Sequence, residues 1–265
     1  MTPCPRIGRR FFRDAGQPPI VLGHRGARHA APENTLLAFE RSRAEGAEGI
    51  ELDVRLDGSG EVVVLHDPTL ARVTHGASHA RVDALSTEQL RRLDVGQGER
   101  VPLLADVLAW ADQHDQLLNV EVKADRLSWP LLVGTVVDTL LDAKQCAERV
   151  LLSSFHPVVV TWLARRLPEF PVCWLVHGGQ RVLRSAPGFR VLGAVGVNPE
   201  HTLLEPPRVE RWKRRGALLA TWTVNEPERA LRAAELGVDA IISDRPGAIR
   251  AALYDSGSPV RPARS

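Results

Sequence analysis

The chain has 265 residues, 44% of them hydrophobic and 25% charged, which matches ordinary soluble globular protein and excludes disorder, collagen and coiled coil. Its 34 basic and 32 acidic residues leave a formal charge of +2, too balanced for nucleic-acid or anionic-membrane binding to be the default. Cys4, Cys146 and Cys173 are widely separated and form no CxxC pair, so neither a disulfide framework nor a thiolate zinc site is expected.

Residues 1–19 read as an N-terminal extension, basic over 1–13 but without an apolar run of signal-peptide length. A first strand is predicted over 20–23, a helix over 34–45 after Pro32, and a second strand over 49–54. Residues 55–102 hold an extra apolar run at 62–66 and a short helical piece at 87–93, a long loop over one end of the fold. Beyond it the pattern settles into helix 103–114, strand 117–122, helix 129–143, strand 150–153, helix 158–167 and strand 172–176. Gly, Pro and scattered charges make 178–190 a poor helix. Strand 193–197, helix 207–215, strand 218–223, helix 226–236 capped by Asn225, strand 240–243 and helix 247–254 follow, and 255–265 is a Ser, Pro and Arg tail expected to be disordered.

Eight strands alternating with helices give the count of a closed (β/α)8 TIM barrel, an α/β fold in a single domain over 20–254. An open doubly wound sheet is the runner-up, but neither GxGxxG nor GxxxxGK[ST] occurs. No stretch approaches about 18 apolar residues, so stable membrane insertion is not expected and a cytoplasmic protein is.

Strands covered on both faces should be nearly all apolar, so charges within them need a reason. The first strand ends in His24 and Arg25, the second contains Glu51 and Asp53, the extra run ends in His66 and Asp67, and the third contains Glu121 and Lys123. Residues two apart share a face, so Glu51 projects with Asp53 and Glu121 with Lys123, all near the carboxyl ends that form the catalytic rim of a barrel. Three converging carboxylates repel one another unless a cation neutralises them, and oxygen ligands from Glu51, Asp53 and Glu121 suit one divalent Mg²⁺ or Ca²⁺ better than zinc. Arg25 and Lys123 add charge for an anionic group such as phosphate, and His24 and His66 bring groups able to exchange protons near neutrality.

Other sites fail. Arg55 occupies a ligand position in the calcium-loop-like stretch at 53–58, Ser153 and Ser154 lack a GxSxG elbow, and the basic run 211–215 reads as a solvated helix face.

With these residues in view, the sequence resembles the glycerophosphodiester phosphodiesterases over about 20–249. The resemblance rests on GHRG (23–26), PENT (32–35), ELDV (51–54), LHDPTL (65–70), NVEVK (119–123), SSF (153–155), WTVN (222–225) and ISDRP (242–246). It implies a TIM barrel that uses a divalent metal to hydrolyse glycerophosphodiesters, such as glycerophosphocholine or glycerophosphoethanolamine, to glycerol 3-phosphate and an alcohol. By resemblance Glu51, Asp53 and Glu121 bind the metal, His24 and His66 are the acid and base, and Arg25 and Lys123 hold the phosphate. Glu33 either orients this cluster from behind or is a helix-start carboxylate; Phe155 and Trp222 are either the apolar wall beside glycerol or plain core aromatics. The family commonly shows LDAG, an insertion and IPTLEE; here 93–96 reads LDVG and 101–106 reads VPLLAD, with little between. The alternatives are a phospholipase-type phosphodiesterase on lysophospholipid or phosphoinositide head groups, and a non-catalytic barrel that binds phosphorylated polyols.

Overall fold

A computed structural model describes residues 8–14, 16–124, 129–180 and 188–255. Eight strands run parallel around a closed barrel: β1 (Ile20–His24), β2 (Gly49–Leu56), β4 (Leu117–Val122), β5 (Val150–Ser154), β6 (Val172–Val176), β7 (Gly196–Pro199), β8 (Leu218–Thr221) and β9 (Ala240–Ser243). Closure comes from β1, which pairs with both β2 and β9. The short β3 (Val62–Val64) folds back antiparallel on β2, so the extra apolar run is a hairpin arm rather than a barrel strand.

The helices are α1 (Leu36–Ala44), α2 (Thr87–Leu90), α3 (Leu104–Gln113), α4 (Trp129–Asp142), α5 (Pro157–Arg166), α6 (Pro206–Arg214), α7 (Pro227–Leu236) and α8 (Pro246–Asp255). Their starts follow local chemistry. Thr35 Oγ1 accepts from Ala38 N–H at the head of α1, Ser86 and Gln89 form a reciprocal cap on α2, and proline opens α5, α6 and α7.

Most boundaries differ from the sequence expectation by one to three residues, and three departures have a visible local cause. Helix α1 begins two residues late because Asn34 takes a left-handed backbone, φ 57°, and turns its side chain elsewhere. Strand β7 is shifted forward from 193–197, since Gly193 at φ 79° still closes the preceding turn with its N–H on Arg190 O. Asn225 does not cap α7, which is led by Glu226. The poor helix expected over 178–190 and the disordered tail lie largely outside the described residues, at 181–187 and 256–265.

The two-residue period of the strands sorts side chains into a shell and a bore. Residues facing the helices, among them Val21, Ile50, Leu118, Leu152 and Leu219, build the main core. Residues facing inward at the amino ends of the strands, Leu22, Leu117, Leu151 and Leu218, close the floor of the barrel around the fully buried Phe11, which stands upstream of β1. A third core, including Val63, Leu65, Leu70, Val82 and Leu90, lies within the segment between β2 and α3, so that segment is packed in its own right.

Candidate active site

Strand register brings the acidic residues together. Asp53 is the neighbour of Glu121 across β2 and β4, and Glu51 is the neighbour of both Asn119 and His24. One carboxylate oxygen from each of Glu51, Asp53 and Glu121 lies within 4.8 Å of the other two, and all three side chains are buried. Lys123 Nζ sits 2.8 Å from Asp53 and 2.6 Å from Glu121, and Arg25 Nε sits 3.1 Å from Asp53.

The electrostatics of this group are uneven. Burial would raise Asp53, but the charges of Lys123 and Arg25 outweigh it and hold the carboxyl below its usual range. Burial and the neighbouring carboxylates push Glu51 well above the usual value, and burial carries Glu121 to about 6 against the pull of Lys123. Glu51 Oε2 is buried with no hydrogen-bond partner. A cluster with oxygen donors only, one buried oxygen orphaned and two carboxyls resisting ionisation is short of positive charge, and a hard divalent cation fits it.

Arg25 reaches the cluster through a strained turn. Its φ is 58°, in the left-handed region that costs an L-residue roughly 1–2 kcal/mol. Arg25 N–H donates to Glu51 O at 2.7 Å and Asn34 N–H donates to Arg25 O at 2.9 Å, pinning the turn to β2. At Gly26, φ 84°, a Cβ would come within 2.6 Å of the Ala38 backbone, so glycine is required for α1 to approach. Asn34, itself at φ 57°, donates from Nδ2 to Asp53 Oδ2 at 3.0 Å. Sequence reasoning took Asn34 as a helix residue and missed this contact.

Each histidine is tethered by an aspartate. His24 Nδ1 lies 2.6 Å from Asp244 Oδ1, and His66 Nδ1 lies 2.7 Å from Asp67 Oδ1. A carboxylate on Nδ1 keeps the proton there and leaves Nε2 to exchange protons, and His24 Nε2 lies 3.9 Å from Glu51 Oε2. Burial lowers the His66 pKa, helped by the charges of Lys123 and Arg25 and opposed by Asp53. Asp67 and Asp244 are both held near 2: burial would raise them, and hydrogen bonds from Arg72 and His66 to the first, and from His24 to the second, prevail.

The two tethers are joined. Arg72 donates through Nε to Asp67 at 2.6 Å and through both Nη atoms to Glu33 at 2.7 and 2.8 Å. Glu33 also accepts from Arg25 at 2.8 Å, while Arg28 lies 3.3 Å from Glu33 and 3.5 Å from Asp244. Burial would raise Glu33, yet the Arg72 hydrogen bonds and the Arg25 charge bring it to about 2. Glu33 therefore sits among cations behind the cluster rather than in the first turn of α1. Asn225 accepts from Asp244 N–H at 2.9 Å and donates to Asp244 Oδ2 at 2.7 Å, the interaction that replaces its expected cap.

Phe155 and Trp222 meet edge to face, 5.5 Å apart at 84°, and Trp222 Nε1 donates to Asn198 O at 2.8 Å. Both rings line a cavity of about 200 Å³ together with His24, His66, Glu51 and Glu121. All the sequence-predicted residues except Asp53 and Glu33 border this cavity, and those two stand directly behind Arg25 and Lys123. Asp67, Asp244, Asn34 and Arg72 carried no predicted role; Asp67 and Asp244 had a signal, each being an acid beside the carboxyl end of a strand.

A (β/α)8 barrel with buried carboxylates, two tethered imidazoles and two cations at its carboxyl rim is an enzyme by architecture. The chain belongs to the glycerophosphoryl diester phosphodiesterase family, whose model matches residues 24–248. A curated relative, the glycerophosphodiester phosphodiesterase of Caldanaerobacter subterraneus subsp. tengcongensis, is 33% identical over 239 residues, covering 86% of this chain and 94% of that one. Among solved structures, a putative glycerophosphoryl diester phosphodiesterase from Silicibacter pomeroyi superposes with a TM-score of 0.84 at 27% identity, covering 94% of this chain and 98% of that one. A phosphodiesterase from Oleispira antarctica, in complex with the product sn-glycerol-3-phosphate, gives a TM-score of 0.81 at 25% identity over 93% of this chain and 98% of that one.

Proposed function

We propose that the protein hydrolyses glycerophosphodiesters to glycerol 3-phosphate and an alcohol, with a divalent metal at the rim and His24 and His66 as the acid and base. The observation that carries this reading is the single cavity that gathers both aspartate-tethered histidines, two cations and the orphaned Glu51 carboxylate. Glu51, Asp53 and Glu121 would hold the ion, Mg²⁺ or Ca²⁺ by the hardness of the donors. When bound, it supplies Lewis-acid charge beside the phosphoryl group.

The chain's own residues do the rest. Arg25 and Lys123 place fixed positive charge where the nonbridging oxygens gain negative charge, and their positions are set in advance by Asp53, Glu33 and Glu121. One histidine takes a proton at Nε2 from the attacking hydroxyl and the other gives its Nε2 proton to the departing alcohol oxygen; if water attacks, glycerol 3-phosphate forms directly, and if a hydroxyl of the glycerol attacks, the product is a cyclic phosphate that a water then opens to glycerol 3-phosphate. Asp67 and Asp244 favour the imidazolium that forms after proton uptake. Phe155 and Trp222 wall the glycerol and exclude water.

The test is release of glycerol 3-phosphate by purified protein with Mg²⁺ or Ca²⁺, before and after EDTA. Activity that disappears with chelation and returns with the ion is expected; activity indifferent to both would remove the metal from this reading. Among the described residues no helix is long and apolar enough to cross a membrane.

A further inference from the structure

His66 and Arg25 come from different parts of the chain, yet one side chain holds the support of each. Arg72 donates from Nε to Asp67 Oδ2 at 2.6 Å, and Asp67 Oδ1 lies 2.7 Å from His66 Nδ1. The two Nη atoms of Arg72 take both oxygens of Glu33 at 2.7 and 2.8 Å, and Glu33 Oε1 also accepts from Arg25 Nη1 at 2.8 Å. Arg72 itself does not line the cavity that His66 and Arg25 border.

We propose that Arg72 is a positioning residue for the reaction, setting His66 through Asp67 and Arg25 through Glu33 from a single guanidinium, an inference that rests on the phosphodiesterase reading. The shape of the group carries the argument. Three N–H bonds to two separate carboxylates suit a planar fork, whereas the ammonium of a lysine is one point on a flexible stem. Nor are these carboxylates ordinary surface partners, whose ion pairs hold little geometry: the side chain of Glu33 is 8% exposed and that of Asp67 25%.

The backbone that carries Arg72 is fixed as well. Leu70 and Val73 are buried in the apolar nucleus between β2 and α3, and the Thr74 hydroxyl donates to Leu70 O at 2.8 Å. From this anchored turn Arg72 ties the segment bearing His66 to the loop between β1 and α1, 39 positions away at Glu33. Without the guanidinium, Asp67 keeps His66, and Glu33 keeps Arg25 and Arg28, but the link that orients the two pairs is gone. A displacement of about 1 Å in a catalytic group can cost about 100-fold in rate. Proton transfer and the growth of phosphoryl charge belong to the transition state, so the loss falls on kcat more than on KM.

The experiment measures kcat and KM for glycerol 3-phosphate release from glycerophosphocholine and glycerophosphoethanolamine at saturating Mg²⁺ or Ca²⁺, with folding checked by circular dichroism. Arg72→Met is expected to lower kcat at least about tenfold with KM within about threefold of the parent. Arg72→Lys keeps the charge but not the fork, and its kcat is expected to stay at least about fivefold below the parent; it decides alone should Arg72→Met fail to fold. In a His66→Ala background the Arg72→Met penalty is expected to shrink at least about threefold, because one of the two groups it serves is absent. A near-parental kcat in Arg72→Met, full recovery by lysine, a loss confined to KM, or a penalty undiminished in the His66→Ala background overturns the positioning role while leaving the phosphodiesterase reading intact. A parent that releases glycerol 3-phosphate from neither diester overturns both.

Discussion

At the floor of the barrel, Leu22, Leu117 and Leu151 pack around Phe11 with apolar partners on every side. Two residues further along the same three strands stand His24, Asn119 and Ser153, where both amide atoms of Asn119 and the Ser153 hydroxyl are buried without a hydrogen-bond partner. The first layer removes apolar surface from water; the second retains polar groups that cost about 1–3 kcal/mol each while unmatched. Stability and chemistry are thus separated along one axis, by a single step of the strand period.

That separation can be broken from either end. Phe11→Ala is expected to cost about 3–5 kcal/mol in denaturant unfolding, with turnover of the folded fraction unaltered. A loss of activity without a loss of stability would place Phe11 in the chemistry instead. Conversely, His24→Ala and His66→Ala should each lower turnover at least about 100-fold while the melting temperature stays near that of the parent. Near-normal turnover in either variant would strip that histidine of its part.

Asn119→Leu sharpens the contrast, because one substitution should move the two properties in opposite directions. Stability is expected to rise by about 1–2 kcal/mol as an unmatched amide leaves the interior, and kcat/KM to fall because Asn119 borders the active-site cavity. A destabilised variant would show that the amide has a partner in solution. The smallest effect concerns acid. Glu33, Asp67 and Asp244 are held near 2 against ordinary values of 4.5, 3.8 and 3.8, so their stabilisation is present above about pH 4 and is lost as pH falls toward 2. Arg72→Met removes the main partner of two of them. The melting-temperature gap between parent and variant should therefore be widest near pH 7 and narrow toward pH 2; a gap independent of pH would refute the ionic account.

Most of the barrel could be read in the sequence because its strands are short buried runs and its helices carry prolines and caps at their starts. Glu51, Asp53, Glu121 and Lys123 were visible for a related reason: in a strand covered on both sides, a charge has no trivial explanation. Asp67 was noted beside His66 and Asp244 stood in a matching motif, but neither drew a role, and Arg72 was not singled out, since a charge in a loop is unremarkable until its partner is known, and Arg72 and Glu33 are 39 positions apart. Phe11 escaped similarly. A lone aromatic in a basic leading segment gives no local sign of the strands it will meet. Asn34 and Asn225 misled because their residue type favours helix starts, and the tertiary bonds to Asp53 and Asp244 overrode that preference.

The segment between β2 and α3, with its private apolar nucleus, has one more consequence. Val82 and Leu90 are buried in that nucleus together with Leu65, the residue immediately before His66. Drift at these remote valines and leucines would reach the imidazole through the neighbouring backbone and surface as a kinetic fault in an otherwise sound barrel. The enzyme would feel such drift as a loss of aim.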